Sequence, residues 1–137
     1  MIGGLHANEP AGIEAAERVH DALDATEAGP HRGRLISIRG NLRALRAEAP
    51  RPWLRARYID EDPTRAFIDE ETVASRVSAE QSERAELSHE LTSIVSEATH
   101  GVFLLDLHTV SSESPAFIAV EDSLPARRFA ASIPLPK

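Results

Sequence analysis

The sequence predicts an α/β fold, and three observations carry that expectation. Segments with apolar residues at three- and four-residue steps alternate with short strand-like runs, as a helix-on-sheet architecture requires. The run VFLLDLH, residues 102 to 108, is almost continuously apolar and ends in polar residues, the mark of a central strand covered on both faces. At 137 residues the chain reads as a single domain, residues 1 to 137, long enough to enclose a core.

The elements follow in order. Ile2 to Leu5 read as the last residues of a strand. From Asn8 the pattern turns helical, with Asn8 as a cap and Pro10 in the first turn. Ile13, Ala16, Val19, Ala22 and Leu23 form the apolar face of that helix. EAGPHRG, residues 27 to 33, is a loop. RLISIRGN, residues 34 to 41, reads as a strand with Leu35, Ile36 and Ile38 inward. Residues 42 to 70 contain Pro50, Pro52 and Pro63 and no sustained period, so they read as loop with short helical turns. So long a loop inside a domain points to function. Helical spacing returns from Glu71 to Thr99 through Val73, Val77, Leu87, Leu91, Ile94, Val95 and Ala98, and Gly101 ends it. AFIAVE, residues 116 to 121, is a further candidate strand.

Composition narrows the function. There is no Cys, so a metal here is held by His and carboxylate, which suits zinc or another divalent ion. A formal charge of −7 argues against nucleic acid as a partner. An anionic small molecule would need local arginines against that field. Val102 to Leu105 is a short apolar run, and no apolar run in the sequence approaches the length a bilayer needs, so no membrane partner is expected. No signal segment opens the chain, and the expected location is cytoplasmic.

GGLHANEPAG, residues 3 to 12, sets His6 and Glu9 in a turn between strand and helix. It reads either as a plain turn, with Glu9 serving the helix dipole, or as half of a metal site. His6 and His108 both sit just past strand ends, where open α/β sheets gather ligands. Two His and one Glu leave the fourth position of a zinc ion open, the arrangement that separates catalytic from structural zinc.

GGLHANEPAG, RGNLRAL, RYIDEDPTRAF, LLDLHT and AFIAVEDS stand in that order. The ordered set resembles the succinylglutamate desuccinylase and aspartoacylase family, relatives of the zinc carboxypeptidases. The resemblance covers nearly the whole chain but only the front part of a typical member. It implies a zinc-peptidase-like mixed sheet with helices on both sides, incomplete on its C-terminal side. It implies His6, Glu9 and His108 as zinc ligands and Arg57 as the group that steadies the oxyanion. It makes Arg65 a binder of the substrate carboxylate and puts Asn41 and Thr64 with it among the substrate-binding residues; Asn41 and Asp62 shape the loop around the site, and Asp106 orients loop or ligand. The activity implied is zinc-dependent hydrolysis of the amide in an N-acyl amino acid, a small-molecule partner.

Departures from the family pattern sharpen this. Ala7 replaces a Gly, and Pro63-Thr64 replaces the Leu-Asn that precedes the Arg, so a different N-acyl amino acid is the expected substrate. The family's catalytic Glu lies beyond the last motif matched here; Glu113 and Glu121 are the glutamates after His108, and neither matches it. The sequence therefore reads as a fragment, with self-association as an expected consequence. Alternatives are a metal-binding but inactive fragment and a small zinc carboxypeptidase acting on peptides.

Overall fold

A computed structural model of the chain describes residues 1–25, 33–64, 78–110 and 112–135. Strand β1 (Ile2–Gly3) leads into helix α1 (Ala11–Ala25), and strand β2 (Ile38–Arg39) into helix α2 (Leu42–Arg46). A 3-10 turn at Pro52–Leu54 follows, then helix α3 (Ala79–Glu97), strand β3 (Asp106–Leu107) and helix α4 (Leu124–Ser132).

The three strands form one sheet in the order β2-β1-β3, and both pairings are parallel. Ile2 is level with Ile38 on one side and Asp106 on the other. The α/β class therefore holds, but among the described residues the sheet is parallel and not mixed. Parallel neighbours need crossovers, and α1 and the segment containing α3 supply them.

Successive strand residues face opposite sides of a sheet. Gly3 faces α1: a Cβ there would meet the backbone of Gly12 at 2.7 Å. Ile2 instead joins Leu5 and Leu87 of α3 in the core, with Ile38 and Leu91 packed against them. Helices α1 and α3 thus cover opposite faces. Gly12 brings α1 equally close to β3, since a Cβ on it would stand 2.6 Å from the Leu107 carbonyl oxygen.

Several elements differ from the sequence reading. On α1 the buried residues are Gly12 and Ala16, while Val19 and Leu23 are exposed. The approach to the sheet is so close that only glycine and alanine fit beneath the helix. Asn8 does not cap α1: the Pro10 carbonyl accepts from Ile13 N and Glu14 N, and Asn8 Oδ1 is buried without a partner. The run at 102 to 108 contributes only Asp106–Leu107, at a sheet edge, and Phe103 and Leu104 are 53% and 57% exposed. β1 lies in the centre instead. Residues 116 to 121 form no strand and are mostly exposed; strand-like composition there meets no partner edge among the described residues. α4 was not foreseen, although Ser123 caps it and Pro125 stands in its first turn. α3 opens on a capping box between Ser78 and Gln81, and the expected helical residues 71 to 77 lie outside the described ones.

Because all three strands are parallel, their carboxyl ends lie on one side. The turn after β1 carries His6 and Glu9, the residue pair after β2 brings Asn41, and the residue after β3 is His108.

Candidate metal centre

The turn that begins at Gly4 (φ 77°) reverses the chain in a conformation that favours glycine. Glu9 N donates to the His6 carbonyl at 3.0 Å, which closes the turn and puts both side chains on its inner side. His6 is 2% and Glu9 4% exposed.

His108 arrives from β3 to complete the group. His6 Nδ1 lies 3.2 Å from Glu9 Oε1 and 3.2 Å from His108 Nδ1. His108 Nδ1 lies 3.1 Å from Glu9 Oε2. These ligand atoms come from residues as far as 102 positions apart. Zinc–nitrogen and zinc–oxygen bonds of about 2.1 Å in a tetrahedron hold neighbouring donors about 3.4 Å apart. The spacing found here fits that edge.

The far side of each imidazole is also engaged. His6 Nε2 meets Asp62 Oδ1 at 3.1 Å, and His108 Nε2 meets Asp106 Oδ2 at 2.6 Å. A carboxylate on the outer nitrogen fixes the tautomer, so the inner nitrogen presents its lone pair. With neutral imidazoles, Glu9, Asp62 and Asp106 against Arg57 leave two net negative charges around the group, which a divalent cation cancels.

The carboxyls are held for this state. Burial pushes Glu9 up, but the Thr109 backbone N–H and the two imidazoles outweigh it, and Glu9 titrates below its ordinary value. Burial likewise opposes ionisation of Asp62, yet the Thr64 hydroxyl, His6 and the Thr64 N–H bring it down to about 2. His108 is raised, chiefly by its hydrogen bond to Asp106. Both imidazoles must be neutral to hold a metal, so metal and proton compete here.

Arg57 stands at the rim, 45% exposed in its side chain. Its Nη1 donates to Glu9 Oε1 at 2.5 Å, and its carbonyl accepts from Ala7 N at 3.0 Å. It is thus tied to the turn that carries two of the three candidate ligands. Thr64 donates its hydroxyl to Asp62 Oδ1 at 2.6 Å and its N–H to the same oxygen at 3.0 Å. Asn41 is 1% exposed and engaged at both ends: Nδ2 donates to Glu80 and Oδ1 accepts from Ala44 N. In this geometry Asn41 and Thr64 shape the loops around the centre with their polar atoms. Arg65 lies outside the described residues. Glu113 and Glu121 are exposed and do not belong to the His–Glu–His group.

Sequence reasoning missed Glu80 and Glu83, both buried on α3. A signal existed: positions 80, 83, 87 and 91 share one helix face, so these carboxylates continue the stripe that Leu87 and Leu91 bury.

Comparisons with curated proteins and with solved structures give no match. Among protein-family models, the Succinylglutamate desuccinylase/Aspartoacylase catalytic domain matches residues 1–132. The match spans all three candidate ligands and both carboxylates behind the imidazoles, and the chain belongs to this family of hydrolase domains.

Proposed function

We propose that His6, Glu9 and His108 hold a zinc ion and that the chain serves hydrolysis of the amide in an N-acyl amino acid. The observation that carries this reading is the convergence of donor atoms from three residues at 3.1 to 3.2 Å, with a carboxylate behind each imidazole. A zinc ion held there supplies Lewis acidity, polarising a carbonyl and acidifying a water from about 15.7 to about 7.

The chain's own groups do the rest. Asp62 and Asp106 keep the imidazoles oriented with their inner nitrogens unprotonated. Arg57, half-exposed at the rim, offers a guanidinium to the oxygen that gains charge when the amide carbonyl is attacked. Arg65 is the proposed partner of the substrate carboxylate, since a planar guanidinium matches its geometry. The Thr64 hydroxyl is already donated to Asp62, which supports a substrate contact different from the one an Asn at that position makes.

A second reading, a metal-binding domain of low activity, is favoured by one observation. Among the described residues the carboxylates at the centre are Glu9, Asp62 and Asp106, and each is bonded to an imidazole. None is free to act as general base, a role worth about 10²–10⁴-fold in rate.

The test is deacylation of N-acetylaspartate and N-succinylglutamate by the zinc-loaded chain, beside His6→Ala and beside peptide substrates. Slow release of the acyl group, lost on chelation and in His6→Ala, supports the first reading. Zinc bound without turnover supports the second. Turnover indifferent to chelation, or cleavage of peptides alone, overturns the proposal.

A further inference from the structure

One carboxylate outside the metal centre is more completely enclosed than any of its candidate ligands. Glu80, in the first turn of α3, is 0% exposed. Its Oε1 accepts from Asn41 Nδ2 at 2.9 Å and from Ile59 N at 2.8 Å. Its Oε2 accepts from Asp60 N at 2.9 Å and Glu61 N at 3.3 Å. Three successive backbone amides therefore close on a single side chain.

Helix stability does not ask for this. An exposed acid in the first turn would serve the helix dipole as well. A buried carboxylate is costly unless its oxygens are satisfied, and these are satisfied only while residues 59 to 61 keep one backbone path.

That path leads to the metal centre at both ends. Asp62 follows directly and takes His6 Nε2. Arg57 comes two residues before Ile59, binding Ala7 through its carbonyl and Glu9 through its guanidinium. Asn41, at the end of β2, joins from the sheet side. The loop at 57 to 62 is thus held at its middle by this carboxylate, beside two side-chain ties to the start of α3: Asp60 Oδ2 accepts from Ala79 N at 2.8 Å, and Glu61 accepts from the Ser78 hydroxyl.

We infer that Glu80 is a positioning residue: it fixes the backbone of residues 59 to 61 and, through it, the placement of Asp62 against His6. The consequence for metal binding rests on the zinc reading above; the fixing of the loop does not.

Glu83 is the internal control. It is also buried on α3, but it accepts from Arg43 N at 2.7 Å and pairs with Arg43 Nη1 at 3.0 Å. Both contacts lead to α2, and neither reaches residues 59 to 61.

The experiment compares the full chain with Glu80→Gln, Glu80→Asp, Glu83→Gln, Asp62→Asn and the double variant Glu80→Gln/Asp62→Asn. Glutamine keeps the volume but turns an NH2 group toward backbone N–H donors, so part of the amide cluster loses its acceptor. Zinc affinity is measured by chelator competition and loop order by amide exchange at residues 59 to 61. Glu80→Gln should weaken zinc about tenfold, the loss usual when the group behind a ligating His is disturbed. It should also speed exchange at 59 to 61. Glu80→Asp, which keeps both acceptors, should recover part of each. Glu83→Gln should lower the melting temperature and leave zinc affinity unchanged. If Glu80 acts through Asp62, the double variant should lose no more affinity than the worse single variant.

Additive losses, or equal weakening by Glu80→Gln and Glu83→Gln, would overturn the inference. If Glu80→Gln does not fold, the Glu80→Asp cycle with Asp62→Asn is read by the same criteria. A wild-type chain that binds no zinc fails the metal reading, and exchange then decides. Protection at 59 to 61 lost in the Glu80 variant but kept in Glu83→Gln supports the inference, and unchanged protection ends it.

Discussion

Asp106 grips His108 two residues further on, Oδ2 to Nε2 at 2.6 Å, and so turns Nδ1 toward Glu9 Oε2 at 3.1 Å. Residues two apart on a strand share a face, so the end of β3 presents carboxylate and imidazole together. The Asp-x-His spacing is thus a device for fixing which nitrogen looks inward.

Asp106→Asn is predicted to weaken zinc binding by about 10–100-fold while the fold survives, because Asp106 is partly exposed and lies at a sheet edge. Chelator competition measures this. Unchanged affinity would mean that the pairing is incidental to the centre.

Gly12→Ala is predicted to destabilise the chain, against the usual sign. In a helix interior this change gains about 1 kcal/mol from propensity, and the gain is smaller in the first turn, where Gly12 lies. Here the new Cβ would stand 2.6 Å from the Leu107 carbonyl oxygen, and overpacking costs about 1–3 kcal/mol. Because Leu107 precedes His108, zinc affinity should fall as well. Thermal unfolding and metal titration check the two parts, and a stabilised variant would contradict the close approach of α1 and β3.

Stability without metal should depend on pH in two opposite ways. Burial pushes Glu80 up, but the amides of Ile59, Asp60 and Glu61 and the Asn41 side chain outweigh it, so it titrates below its ordinary 4.5. A lowered carboxyl stabilises the fold above that ordinary value and loses the contribution as pH falls through the folded value. The melting-temperature gap between wild type and Glu80→Gln should therefore be full near neutrality and shrink below about pH 4.5. His108, raised from 6.5, works in reverse: its contribution is full below 6.5 and is lost as pH rises through the folded value. Melting curves across pH on chelated protein test both signs.

The His–Glu–His group was legible in the sequence for a physical reason. His6, Glu9 and His108 follow strand ends, and parallel strands bring their carboxyl ends to one side whatever the loops between them do. The burial of Glu80 could be read from its place on the stripe of Leu87 and Leu91, but its partners could not, because the amides it binds belong to a loop whose backbone path only the folded chain defines. Composition marked the run at 102 to 108 as apolar, but an apolar run does not say which strands will flank it. β1 took the centre because Gly3 and Gly12 let α1 come down on it, a steric fact that hydropathy does not record. The strand expected at 116 to 121 failed similarly: strand propensity reports a fit to a pleated, half-buried surface, and no such surface meets these residues among those described.

The zinc content of the folded chain reports on the His6–Glu9–His108 centre itself. Wild type, His6→Ala and His108→Ala are loaded with zinc, freed of excess metal and analysed for bound metal, with circular dichroism to confirm that each is folded. About one zinc per wild-type chain and almost none in either variant is expected, because two ligands do not retain what three hold. Equal zinc in all three, or none in a well-folded wild type, would contradict it.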